Sequence, residues 1–117
     1  MHKFKELEIW KRSKVFCSKI YALTSTFPEV EKFGLTNQLR RASVSIPSNI
    51  AEGSSRQSDK DFVRFLQISL GSCYEIETQL LISYDLKFIN NEDLNYTLNE
   101  IEQIIKMISK FKTTLKI

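Results

Sequence analysis

Glu75 and Glu77, with Glu52 earlier in the chain, are the carboxylates whose type and spacing come closest to chemistry in this sequence. Paired carboxylates can exchange protons with a substrate or hold metal ions. Helical bundles that hold two metals do so with Glu-x-x-His motifs, and no such motif occurs here. His2 is the one histidine and sits at the start of the chain, where fraying is expected. A Ser-His or Cys-His nucleophile therefore cannot be built inside the fold. Cys17 and Cys73 lack CxxC spacing, and with a single His they cannot complete an all-Cys/His zinc site. Neither GxGxxG nor GxxxxGK[ST] occurs to cradle a phosphate. The expectation is a protein without catalytic residues, metal or cofactor.

The other suggestive stretch is GLTNQLRRASVSIPSNIAEGSSRQS, residues 34–58. Two arginines, several serines, an asparagine and a glutamate surround Pro47. A proline inside a helix removes one backbone donor and clashes with the carbonyl four residues back, here that of Ser43. Ser43, Ser45, Ser48 and Asn49 are short enough to satisfy the freed groups. A kinked helix explains the stretch without a ligand. On the same reasoning Arg41, Ser45, Asn49, Glu52, Glu75 and Glu77 are expected to form a structural polar network. Arg40 or Arg41 would pair with Glu75 or Glu77, because unpaired charge at a helix interface is costly.

Four helices would have to position these groups. Gly 3 and Pro 2 in 117 residues are too few to punctuate a β-sandwich. The first helix is expected from about Lys5 to Thr26, with Trp10, Cys17, Tyr21 and Thr24 on one stripe and Ile9, Phe16, Ile20, Leu23 and Phe27 beside it. Pro28 ends it. The second begins near Gly34, follows Leu35, Leu39, Ala42, Ile46 and Ile50, and stops at Gly53. The third starts at Ser58, a partial capping box with Asp61, and runs to about Asp85. Phe62, Leu66, Ser69, Cys73, Ile76 and Leu80 mark its inner seam. The fourth is capped by Asn90 or Asn91 and lined by Leu94, Leu98, Ile101, Ile105, Ile108 and Leu115. Short connections make neighbours antiparallel. The fold class is all-α: one domain over residues 1–117, an up-down-up-down four-helix bundle with its second helix kinked at Pro47. Ile104, Met107 and Phe111 form a second stripe on the last helix. It either widens the core or serves as an oligomer interface, and the broad first helix favours the interface.

Charge bears on partners. The net charge is +3, and residues 1–28 alone carry +4, from six Lys or Arg and two Asp or Glu. Lys11, Arg12, Lys14 and Lys19 on the first helix, Arg40 and Arg41 on the second, and Arg56 beyond it are the candidate nucleic-acid contacts, since cations neutralise phosphates without a sequence motif. A ring of identical subunits would multiply a modest patch into a strong field. The opening residues, MHKFKELEIWKRSKVF, are charged and lack a continuous apolar run. No apolar stretch approaches membrane-spanning length. A cytoplasmic protein with two reduced cysteines is expected.

The segments FKELEIWKRSKVF and FGLTNQLRRASVSIPSNIAEGSSRQSDKDFVRFLQISLGSCYEIETQL carry a resemblance. They resemble the bacterial four-helix-bundle proteins of the 23S rRNA intervening-sequence family, from Phe4 to about Phe111. The specific block is Gly34 to Leu80. The signature positions are Arg40, Arg41, Ser45, Pro47, Asn49, Glu52, Gly53, Arg56, Arg64, Gly71, Glu75 and Glu77. The resemblance implies a homopentamer with no established catalytic activity. It also implies kinship in fold with the accessory variability protein of diversity-generating retroelements, a basic pentamer that binds nucleic acid and works with a reverse transcriptase. Two roles follow as expectations: a non-catalytic oligomer associated with RNA or DNA, or a protein scaffold for a nucleic-acid enzyme. Gly71, which costs a helix about 1 kcal/mol relative to Ala, suggests a close helix contact.

Overall fold

Helix boundaries in the computed structural model, which describes residues 2–116, follow from local chemistry. After a 3-10 turn at Phe4–Glu6, α1 runs over Glu8–Thr24. It starts later than the apolar pattern predicts because Leu7 is extended, with φ −78° and ψ 128°. Toward its end the Thr24 hydroxyl donates back to the Ile20 carbonyl at 2.8 Å. A second 3-10 turn, Glu29–Glu31, leads to α2 at Leu35–Ser54. Gly34 has no side chain to cap α2, and the Glu31 carboxylate accepts from the Leu35 N–H at 3.0 Å instead.

α3 spans Asp59–Asp85 and α4 spans Asn91–Thr113. Each begins with a side-chain cap. Ser58 Oγ accepts from Asp61 N–H at 3.1 Å, and Asn90 Oδ1 from Asp93 N–H at 2.7 Å. α3 ends in a left-handed residue, Lys87, at φ 67°. The Phe88 N–H there reaches the Ser83 carbonyl at 2.9 Å, which closes the last turn.

The helices pack as a ring in sequence order, and neither diagonal pair, α1 with α3 or α2 with α4, makes backbone contact. The result is the antiparallel four-helix bundle, 44 × 24 × 20 Å. α2 and α3 share the broadest seam, and α1 and α4 the thinnest. Small residues explain the broad one. Ser69 Oγ donates across it to the Ile46 carbonyl at 2.9 Å, and Ser72 Oγ to Ser45 Oγ at 2.9 Å. Gly53 presses its Cα against Phe62 and Phe65, leaving no room for a Cβ. α2 ends at Ser54, one residue past the stop expected at Gly53, and Gly53 is also a point of close approach. α2 passes through Pro47 as one continuous helix. Phe16, Ile20, Leu39, Ile46, Leu66, Ile76 and Ile101 are among the fully buried side chains at the centre.

Candidate functional site

Four of the seven candidate basic residues are engaged within the protomer. Arg12 places its Nε 3.5 Å from Glu100 Oε2 and donates to Gln103 Oε1. Lys19 donates to the Tyr96 hydroxyl, lies 4.9 Å from that ring's centre, and is 3.9 Å from Glu100. These two cations bridge the thin α1–α4 seam. Arg40 turns back to the end of α1. Its Nε donates to Thr24 Oγ1 at 2.8 Å, its Nη2 to the Tyr21 carbonyl at 3.3 Å, and its guanidinium lies 4.7 Å from the Tyr21 ring centre. Arg56 pairs with Glu52 at 3.2 Å and stacks over Phe65 at 4.7 Å.

Three cations face outward more freely. Lys11 is exposed and pairs with Glu8 at 3.5 Å, a surface contact of little worth. Lys14 is exposed, with its ammonium 5.6 Å from the Trp10 ring centre. Arg41 is exposed and has no ion-pair partner among the described residues. From Arg40 to the end of α2 at Ser54 is about 21 Å at 1.5 Å per residue, and Arg56 lies beyond that end, so the seven candidates do not form one patch.

The structure divides the expected polar network. Asn49 Nδ2 donates to the Ser45 carbonyl at 2.9 Å and to Ser45 Oγ at 3.0 Å, and Ser45 meets Ser72. Gln79 Nε2 lies 3.3 Å from Gln38 Oε1 and 3.5 Å from Glu75 Oε2. No ion pair among the described residues joins Arg40 or Arg41 to Glu75 or Glu77. Arg41 and Glu75 line a shallow hollow together with Gln38, Ala42, Ser45 and Ser72. Arg40 is drawn off by Tyr21 and Thr24. Glu52 leaves the network for Arg56. Burial, and then the charge of Glu102 on α4, push the Glu77 carboxyl above its ordinary range. The three carboxylates therefore do not converge, and no group of three His, Cys, Asp or Glu among the described residues has metal-binding geometry.

The stripe expected as an interface splits as well. Ile104 is 1% exposed and belongs to the protomer's own core. Met107 and Phe111 are half-buried against that core, and the Phe111 ring packs 5.6 Å from Phe62. His2 is not loose. Its ring lies 5.1 Å from Phe62 and 6.1 Å from Phe111, and its Nε2 is 3.2 Å from Asp59 Oδ1. Asp59 Oδ2 also accepts from the Lys116 N–H at 3.1 Å, so one carboxylate gathers both ends of the chain. That backbone bond, and then the His2 contact, hold the Asp59 carboxyl below its usual range.

The surface that the apolar pattern missed lies on α3. Ile68, Tyr74, Leu81 and Ile82 are exposed there, and Gly71 lies among them with nothing within 4 Å of where a Cβ would stand. The signal was available: residues 65–74, FLQISLGSCY, contain no charge at all. A helix apolar on both sides is normally covered on both sides.

This architecture agrees with the family comparison. The family model described as 23S rRNA-intervening sequence protein matches residues 5–110. The chain belongs to this family. A crystal structure of a protein of unknown function from the S23 ribosomal protein family of Bacteroides thetaiotaomicron superposes with a TM-score of 0.80. It is 26% identical, and the match covers 89% of this chain and 97% of that one. No curated protein matches the chain. The signature block of this family member spans the α2–α3 seam, where Ser45 meets Ser72 and Gly53 lies against Phe62 and Phe65, while Asn49 bonds to Ser45 within α2. Among the described residues no helix is long and apolar enough to cross a membrane.

Proposed function

We propose that this family member is a non-catalytic, self-assembling helical-bundle protein of the cytoplasm. Copies join through the outer face of α3, and the assembled basic surface contacts RNA or other nucleic acid. The observation that carries the reading is the set of exposed apolar side chains Ile68, Tyr74, Leu81 and Ile82 around an open Gly71, a face on which Glu75 is the one exposed charge between Ile68 and Ile82. Large exposed apolar patches mark interaction sites. A bare glycine lets a second backbone approach closely. Five copies, the number implied by the family resemblance, would present Lys11, Lys14 and Arg41 five times over. Light scattering on a sizing column tests assembly. The wild type is expected as an oligomer and Ile68→Glu/Leu81→Glu as a folded monomer. A wild type that stays monomeric at micromolar concentration refutes the reading.

The scaffold reading is favoured by a different observation, that Arg12, Lys19, Arg40 and Arg56 are occupied internally. On that reading the apolar face holds a partner protein, such as a nucleic-acid enzyme. Salt-dependent anisotropy with labelled RNA separates the two. Binding at low salt supports nucleic-acid contact. Its absence, with a partner captured after nuclease treatment, supports the scaffold.

A further inference from the structure

The turn between α1 and α2 is the most exposed apolar feature of the molecule. Val30 and Phe33 are each 85% exposed, far beyond any apolar side chain on α3. They flank Lys32 and sit beside Glu29 and Glu31, so this knob carries one net negative charge. At the other end of the bundle lies a concave counterpart. His2, Lys3, Phe4, Lys5, Glu6, Ala51, Ser54 and Ser55 line an open hollow of about 490 Å³. Phe4 and Ala51 supply apolar wall, and Lys3 and Lys5 against Glu6 give its N-terminal strand of residues one net positive charge. Its volume falls within the roughly 300–1,000 Å³ that holds whole small molecules, so two side chains fit.

We propose that the Val30–Phe33 knob of one copy docks into the Phe4–Ala51 hollow of a second copy, end to end. Three features select a second copy as the occupant. The knob is convex and the hollow concave. Their charges are opposite. They lie at opposite ends of a 44 Å body, so no chain can satisfy both within itself. Such a contact joins two different surfaces and repeats along the long axis, which makes it heterologous and open-ended. It uses no residue of the α3 face and stands or falls separately from side-by-side assembly.

Sedimentation velocity over a concentration series tests it on full-length Ile68→Glu/Leu81→Glu protein, in which side-by-side contacts are removed. That protein, a monomer at the low micromolar concentrations of a sizing column, is expected to grow in mass as its concentration rises into the high micromolar range. Val30→Ser/Phe33→Ser should weaken the growth at least tenfold. Glu29→Lys should do likewise by facing Lys3 and Lys5, and adding Lys3→Glu and Lys5→Glu should restore it. Glu29 is chosen because Glu31 is spoken for by the start of α2. Circular dichroism checks that each variant is folded. A parent that stays monomeric to high micromolar concentration overturns the proposal. So does a knob variant that still associates, or a charge exchange that restores nothing.

Discussion

Two glycines in helices, Gly53 and Gly71, should answer oppositely to alanine. A Cβ on Gly53 would stand 2.7 Å from Phe65 Cβ and 2.8 Å from Phe62 Cδ1. Carbon atoms are comfortable at about 3.5–4.0 Å, so something must move by close to 1 Å. Phe62 cannot easily yield, because it is 1% exposed and its ring is packed by His2 and Phe111. Overpacking of this kind costs about 1–3 kcal/mol. Alanine returns up to about 1 kcal/mol of helix propensity, and less here because Gly53 is one residue from the end of α2. The net expectation for Gly53→Ala is a loss of about 1–2 kcal/mol. At Gly71 nothing lies within 4 Å, so Gly71→Ala should stabilise the isolated protomer by up to about 1 kcal/mol. Urea unfolding followed by circular dichroism measures both. It is done in the Ile68→Glu/Leu81→Glu background, so that assembly does not enter the balance. In the native background Gly71→Ala should weaken assembly while strengthening the fold. A Gly53→Ala protein as stable as its parent would refute the packing argument. A Gly71→Ala protein that assembles as well as wild type would refute close approach at α3.

Three other tests follow from the geometry. Lys87→Gly should stabilise the fold by about 0.5–1 kcal/mol in the same unfolding assay, since a left-handed L-residue costs roughly 1–2 kcal/mol and glycine forfeits part of that in entropy. Cys17 should react with iodoacetamide in the native protein at pH 8 while Cys73 does not, because burial, and then Glu77, push the Cys73 thiol up to about 12; mass spectrometry of timed digests reads the difference. The Asp59 carboxyl is depressed in the folded state, so its contribution is present above the unfolded carboxylate range and is lost as pH falls through the folded value. Asp59→Asn should therefore be less stable than wild type at neutral pH, with the gap in melting temperature closing as the pH falls below the ordinary carboxylate range.

The four helices were legible because each has a strong local signal. Ser58 and Asn90 cap as their types predict, and the α2 and α3 seams keep their apolar residues inside. The ends of α1 were less legible because Leu7 takes an extended backbone that no propensity demands. The two glycines were read incompletely. Gly53 marks the end of α2 to within one residue but is also a contact, while Gly71 looked like a contact and is bare inside the protomer. A single sequence shows that a glycine is present but not which side chains lie opposite it. The ion pair expected between Arg40 or Arg41 and the α3 glutamates failed for a related reason. Helical periodicity places residues on a face, but the reach of an arginine let Arg40 choose the α1 carbonyl of Tyr21. His2 was invisible as a packed residue because its partners, Phe62, Phe111 and Asp59, are more than fifty positions away.

The basic residues make the nucleic-acid reading depend on assembly in a measurable way. With Arg12, Lys19, Arg40 and Arg56 held by internal partners, Lys11, Lys14 and Arg41 are the candidate cations that a protomer offers to phosphate. Each phosphate neutralised on duplex contributes about 0.9 to the slope of log affinity against log salt, so these three account for a slope of magnitude near 3 in a monomer. An oligomer that presents the same three residues on several subunits to one duplex should show a slope several times steeper, and far tighter binding at low salt. Anisotropy titrations of wild type and of Ile68→Glu/Leu81→Glu at a series of salt concentrations make the comparison, with the variant's cations untouched. Equal slopes for the two proteins would mean that assembly adds no phosphate contacts. The basic excess would then be only a solvated surface, and the apolar α3 face would have to carry the function alone.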